Sequence, residues 1–156
     1  MKKILLRAAA LLLALVLAGC GTASPAETVP TEADKTDDNY RVFYEIFVGS
    51  FADSDGDGMG DLNGILQHLD YLNDGNLLSD TSLGVQGLWL TPIFASPSYH
   101  KYDATDYYRI DSDFGTEDDL RALLDACHAR NVKVILDLVI NHTARNHEWF
   151  QSFRQS

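Results

Sequence analysis

The run Asp53-Ser54-Asp55-Gly56-Asp57-Gly58-Met59-Gly60-Asp61 sets acidic side chains at positions one, three, five and nine of a loop with glycine at six. Alternate carboxylates converging on one point require a cation, and a flexible all-oxygen loop suits calcium, which takes about six to eight oxygen ligands. Asp53, Asp55, Asp57 and Asp61 would offer side chains, and Met59 its main-chain carbonyl at position seven. Position twelve is Gly64 rather than the bidentate glutamate of a calcium sensor, and the loop follows a strand-like segment. The spacing therefore predicts a structural ion site and not a sensor. An acidic solvated turn is the plainer account of the same residues.

A second constellation lies further along. Val132 to Ile140 is almost continuously apolar and β-branched, the pattern of a parallel strand buried on both faces, and it places Asp137 inside a core strand. A buried carboxylate without partners costs several kcal/mol on a rough estimate, so Asp137 is expected to belong to a polar network. Asn141 and His142 would sit at the strand's C-terminal mouth, where barrels of alternating strands and helices build their sites. Between Thr91 and Tyr108 runs a long loop rich in aromatic residues, with His100, Tyr102 and Asp103 in its middle. Loops of that length usually carry function, and exposed aromatics beside histidine and aspartate suit a sugar, whose rings stack while its hydroxyls hydrogen-bond. For Tyr99, Tyr107 and Tyr108, plain loop packing is an equal alternative.

The elements that must hold these residues alternate. Arg41 to Val48, Val85 to Leu90 and Val132 to Ile140 read as strands, and Leu62 to Leu72 and Glu117 to Ala129 as helices, giving βαβαβ. Leu62, Ile65, Leu66, Leu69 and Leu72 form one apolar stripe, and Leu120, Leu123, Leu124 and Cys127 another. Thr116 with Asp119 three residues later offers a capping box with Asp in place of Glu. Cys127 on the second stripe is expected to be a core thiol rather than a nucleophile.

The N-terminus reads as a processing segment. Lys2, Lys3 and Arg7 precede the apolar run from Ala8 to Ala18, which is short for a membrane span, and Leu17-Ala18-Gly19-Cys20 is similar to the lipobox of bacterial lipoproteins. Residues 1–19 are then a signal peptide and Cys20 the lipid-bearing mature end, which predicts an exported protein anchored to the bacterial membrane or cell surface. An ordinary signal peptide cut elsewhere is the other reading. Residues 20–39 are polar, acidic and without apolar periodicity, as in a flexible linker. Loss of Lys2, Lys3 and Arg7 takes the formal charge from −11 to −14, which makes nucleic acid an improbable partner.

From Tyr40 onward the sequence resembles the N-terminal part of the α-amylase family of glycoside hydrolases. Val42 to Phe47 with Ser50-Phe51 is similar to the family's first barrel strand, Gly87 to Pro92 to its second, and Asp137 to His142 to the conserved region on its third. The resemblance implies an α/β fold, a partial TIM (β/α)8 barrel over residues 40–156 comprising the first three strands and two helices. A whole barrel takes about 250 residues. It also implies that Tyr102 stacks on the sugar, His100 and His142 bind its hydroxyls, Asp137 supports the active-site network, and the Asp53–Asp61 loop holds calcium. Asn141 resembles a calcium ligand of other members and is expected here to be a structural polar residue. His147-Glu148-Trp149-Phe150 would begin the family's excursion after strand three.

The function implied is retaining hydrolysis of α-glucosidic bonds in starch, maltodextrins or related α-glucans, by a protein expected to be monomeric. The nucleophile and the acid/base are expected on later strands, so that residues 1–156 by themselves would be catalytically inactive. Two alternatives stand beside this: a non-catalytic calcium-binding interaction module of dockerin type, and a barrel relative without catalytic carboxylates. A dockerin would carry two calcium loops in a short helical unit, whereas a single loop here lies within a βαβ pattern.

Overall fold

A computed structural model describes residues 41–156, so the expected signal peptide, linker and Cys20 lie outside the described residues. Three strands, β1 (Phe43–Ile46), β2 (Gly87–Leu90) and β5 (Lys133–Leu136), form a parallel sheet in the order β1-β2-β5. Their register is direct: Phe43 faces Gly87, which faces Lys133, and Ile46 faces Leu90, which faces Leu136. Parallel pairing demands crossovers long enough to hold a helix, and both crossovers do. The first contains α1 (Val48–Phe51), α2 (Leu62–Gln67) and α3 (Leu69–Leu72), and the second contains α4 (Glu117–Ala129). The expected partial α/β barrel is the observed architecture.

The period of two in each strand divides the sheet into faces. Ile46, Leu88 and Leu90 are fully buried against Leu62, Ile65, Leu69, Leu72, Leu123 and Cys127, the stripes read from the sequence. The other face carries Phe43, Glu45, Trp89 and Ile135, all exposed. This corrects the reading of β5 as buried on both faces, because helices cover one face only and Ile135 remains 46% exposed. The uncovered face is the one that points inward in a closed barrel. Gly87 has a packing reason: a Cβ there would lie 2.2 Å from the Phe43 ring.

The first long helix breaks at His68 (φ −104°, ψ 13°), whose N–H is shared between the carbonyls of Gly64 and Ile65. The shared bond tightens the turn without rotating the apolar stripe out of the core. α4 has the expected bounds and the full capping box, with Thr116 Oγ1 accepting from the Asp119 N–H and the Asp119 carboxylate accepting from the Thr116 N–H. Asn131 follows it at φ 57°, a left-handed position that asparagine tolerates. Cys127 is fully buried and free, and burial pushes its thiol up to about 11, the behaviour of a core side chain.

Besides α1, three elements were not read from the sequence. β3 (Phe94–Ala95) and β4 (Asp106–Ile110) pair antiparallel across a bulge and enclose the segment 96–105 as the tip of a hairpin. α5 (Glu148–Gln155) begins at His147, whose Nδ1 accepts from the Trp149 N–H. The hairpin converts the long aromatic loop into a short tip on a rigid stem.

Candidate functional site

Asp137 lies one residue past the C-terminal end of β5, not within the strand as expected, and is half-buried at the sheet's mouth. Its N–H still donates to the Leu90 carbonyl, so the ladder fixes its backbone before the chain turns away. Both carboxylate oxygens are held: Trp89 Nε1 donates to Oδ1 at 2.7 Å, and the Tyr102 hydroxyl donates to Oδ2 at 2.7 Å. The expected polar network is therefore present and draws on three elements, with Trp89 from β2, Tyr102 from the hairpin tip and Asp137 from the end of β5. Short bonds to an ionised acceptor are the stronger kind and fix orientation as well as charge. Trp89 was not singled out in the sequence. Alternation along Gly87–Leu90 would have found it, since its neighbours Leu88 and Leu90 claim the core face.

Tyr102 is 39% exposed, leaving much of its ring open at the mouth. Its hydroxyl is pushed up to about 12, first by donation to Asp137, then by burial and by the negative charges of Asp137 and Glu45. It stays a neutral phenol through the physiological range. His100 lies beside it, ring centroids 6.1 Å apart, and Tyr99 packs edge-on against both His100 (5.3 Å) and Phe47 (6.2 Å). His100 Nδ1 accepts from the Tyr102 N–H at 3.1 Å. The structure thus brings Tyr102, His100 and Asp137 together. His142 is not hydrogen-bonded to them: it is exposed, its one side-chain hydrogen bond among the described residues is with Asn141, and both line a groove of about 690 Å³ with Tyr107, Trp149 and Phe153. Tyr107 is a packing residue, its hydroxyl donating to the carbonyls of Val139 and His142 while its ring stacks on Trp149.

The hairpin tip is tied from within. Ser96 Oγ donates to Asp103 Oδ1 at 2.7 Å, and Ser98 Oγ donates to the same oxygen. Burial raises the Asp103 carboxyl, but bonds from Ser98 and Ser96 and the nearby His100 outweigh it and hold it below the usual range.

The loop between α1 and α2 is arranged differently. Carboxylate oxygens of Asp53, Asp55 and Asp61 lie within 4.8 Å of one another. Asp57 stands apart, its Oδ1 accepting from the Met59 N–H at 2.7 Å, so the expected set of four carboxylates contracts to three. Asp53 accepts from the N–H groups of Asp55, Gly56 and Gly58, with Gly56 and Gly58 at φ 86° and 92° turning the backbone inward. The Gly56 bond first, then Gly58, hold its carboxyl below the usual range. Asp61 is buried and caps α2, accepting from the Gly64 N–H at 2.7 Å and the Ser54 N–H at 2.8 Å. Met59 packs its side chain against the core. Among the described residues none of these carboxylates forms an ion pair. A convergent set of oxygens with uncompensated charge fits a hard cation such as calcium.

Residues 45–156 match the model of the α-amylase catalytic domain. The chain belongs to that family. It is 51% identical over 115 residues to Alpha-amylase 3 of Dictyoglomus thermophilum, a match covering 74% of this chain and 21% of that one. It is 45% identical over 116 residues to an oligo-1,6-glucosidase of Heyndrickxia coagulans, covering 74% of this chain and 20% of that one. The crystal structure of an α-amylase from H. orenii superposes with a TM-score of 0.72 at 57% identity, covering 74% of this chain and 24% of the other. The chain thus spans about a fifth of the length of the curated relatives it matches. The matched residues 45–156 include the last two residues of β1, all of β2 and β5, the Asp53–Asp61 loop and the hairpin.

Proposed function

We propose that this chain supplies the sugar-binding front of a glycoside hydrolase that cleaves α-glucosidic bonds in starch, maltodextrins or related α-glucans with retention of configuration. The observation that supports this reading is the Trp89–Asp137–Tyr102 clamp with His100 beside it, at the strand mouths of a family whose named members include α-amylases and glucosidases. In this reading the half-open Tyr102 ring stacks on a glucosyl ring while its hydroxyl is held by Asp137, and His100 hydrogen-bonds a sugar hydroxyl. In the same reading His142, on the neighbouring groove, hydrogen-bonds a further sugar hydroxyl. The nucleophile and the acid/base carboxyl, which a retaining mechanism needs about 5 to 5.5 Å apart, would come from parts of the protein outside these residues.

Calcium is part of the proposal. Asp53, Asp55 and Asp61 would hold it through carboxylate oxygens, with the Met59 carbonyl as a further donor. Its contribution would be structural, neutralising the crowded carboxylates and pinning the first crossover. Export and anchoring through a lipid on Cys20 complete the reading. Loss of labelled fatty acid on Cys20→Ser would support the anchor, and undiminished labelling would reject it.

The test of function is hydrolysis of maltotetraose by the whole protein, with the anomeric configuration of the first product read by proton NMR. Appearance of the α-anomer ahead of mutarotation supports the proposal. The β-anomer sinks the retaining mechanism, and no turnover of any α-glucan favours a relative without catalytic carboxylates.

A further inference from the structure

Lys101 lies between the two residues that face the sugar in the reading above, yet it points the other way. Only 4% of its side chain is exposed. Its ammonium sits 2.9 Å from Asp113 Oδ2 and 3.1 Å from Asp111 Oδ2, and 5.2 Å from the centroid of the fully buried Phe114 ring. Lysine is among the residues least often buried, and two carboxylates with an aromatic face are what its burial requires. Its backbone is also unusual: φ is 60°, in the left-handed region that disfavours residues with a Cβ. At this turn the Lys101 side chain is buried while those of its neighbours His100 and Tyr102 are exposed.

The anchor itself is held by several bonds. Asp111 is buried; its Oδ2 also accepts from the Ser96 N–H at 2.9 Å and its Oδ1 from the Asp113 N–H at 3.1 Å. Its own N–H donates to the Ile93 carbonyl. Asp111, directly after β4, therefore ties Ser96 at the start of the tip and Lys101 within it to one carboxylate. Residues 96–105 take part in few backbone–backbone bonds: Lys101 N–H to Ser98, Thr105 N–H to Ala95, and Ala144 N–H to the Ala104 carbonyl near the tip's end.

We propose that Lys101 is a positioning residue for sugar binding, a buried cationic bolt whose ion pairs with Asp111 and Asp113 hold the hairpin tip in the strained turn that sets His100 and Tyr102 over Asp137. The binding part of this rests on the α-glucan reading above; the positioning part does not. A left-handed backbone alone would favour glycine, so the side chain must supply what glycine cannot, which is the tether.

The experiment compares the whole wild-type protein with Lys101→Arg, Lys101→Gly, and the triple variant Lys101→Met/Asp111→Asn/Asp113→Asn. The triple variant removes the cation and the charges it neutralises together, so its fold does not have to bury an orphaned carboxylate. Hydrogen exchange is read first because it needs no substrate. Amides of residues 96–106 should exchange at least tenfold faster in the triple and glycine variants, with β1, β2 and α4 unchanged, and Lys101→Arg should restore protection at least in part. Steady-state kinetics on maltotetraose, well below each variant's melting temperature, should then show KM raised tenfold or more with kcat changed less. Unchanged exchange at 96–106 in the triple variant overturns the positioning role outright. Faster exchange with wild-type KM confines Lys101 to stability and overturns its part in binding. If the wild type turns over no α-glucan, the functional reading fails separately and the exchange result still decides whether Lys101 positions the tip.

Discussion

Two acidic clusters in this molecule meet the same electrostatic problem and resolve it differently. Asp111 and Asp113 converge beneath the hairpin tip on Lys101, a cation carried by the chain itself. Asp53, Asp55 and Asp61 converge at the start of α2 with only backbone N–H groups as partners among the described residues. Neutral dipoles can orient a carboxylate but cannot cancel its charge, and in the reading proposed above an external cation completes the second cluster. The first therefore needs nothing from the solution while its lysine and carboxylates are all charged, and the second should respond to the metal content of the solution.

The largest effect expected from breaking this contrast is at the internal cation. Lys101→Met leaves Asp111 buried beside an apolar side chain, and removing one partner of a buried pair typically costs about 3–5 kcal/mol. Thermal unfolding of the whole protein should show a fall of that size, insensitive to added calcium. A difference below about 1 kcal/mol would mean that water reaches Asp111 and that the pair is a surface one.

Chelation comes next. A calcium ion present at a hundred times its dissociation constant stabilises the folded state by about 2.7 kcal/mol, so a chelator should lower the melting temperature of the wild type and of Lys101→Met by similar amounts. Identical melting with and without chelator would remove calcium from the account. Asp55→Asn should abolish the chelator response, because it removes one of the three convergent charges while the asparagine carbonyl still accepts from the Asp57 N–H.

Acid separates the clusters from the rest of the molecule. Burial raises the Asp111 carboxyl, but the Ser96 and Asp113 N–H groups and Lys101 outweigh it and hold it below 3.8. A carboxyl depressed in the folded state contributes stability that is fully present above its unfolded value and lost as pH falls through the folded one. Lys101 has the opposite sense: burial lowers its ammonium's pKa, but Asp113 and Asp111 outweigh burial and hold it above 10.5. Its contribution is lost as pH rises through that folded value. The stability difference between wild type and Lys101→Met should be level between these limits and shrink with falling pH, because Asp111, buried without its cation, protonates in the variant before it does in the wild type. A difference that persists undiminished at pH 3 would show that lost packing of the lysine stem dominates over charge.

How much of this could be read from the sequence divides along the same lines. The parallel βαβαβ order, the two apolar stripes and the Thr116 capping box were legible because each is a local, periodic pattern. The β3–β4 hairpin was not, since the aromatic run Tyr107-Tyr108 serves strand and binding loop alike and its two-residue partner Phe94–Ala95 is too short to declare itself. Asp137 was recognised as a networked carboxylate, but its partners come from residues 48 and 35 positions away, a distance that no periodicity spans. Lys101 was passed over for the same reason. Nothing near it in sequence shows that its charge is spent inward, whereas Asp113, twelve residues on, decides it.

The smallest expected effect sharpens the boundary of the metal cluster. Spacing alone grants Asp57 the same standing as Asp55, since both occupy alternate positions of the loop. The geometry separates them: Asp57 is exposed and uses its carboxylate on the Met59 N–H, outside the three that converge. Asp57→Asn retains an oxygen for that bond and removes a charge from the neighbourhood of the site but not from its ligand set. It should therefore keep the wild-type chelator response, with stability inside the range of about ±0.5 kcal/mol typical of surface changes. Calcium titration by calorimetry on Asp55→Asn and Asp57→Asn side by side provides the check. A loss of affinity in Asp57→Asn equal to that in Asp55→Asn would show that the bound loop recruits the fourth carboxylate, restoring the four-aspartate set that the spacing suggests and making metal binding a rearrangement rather than the filling of a formed site.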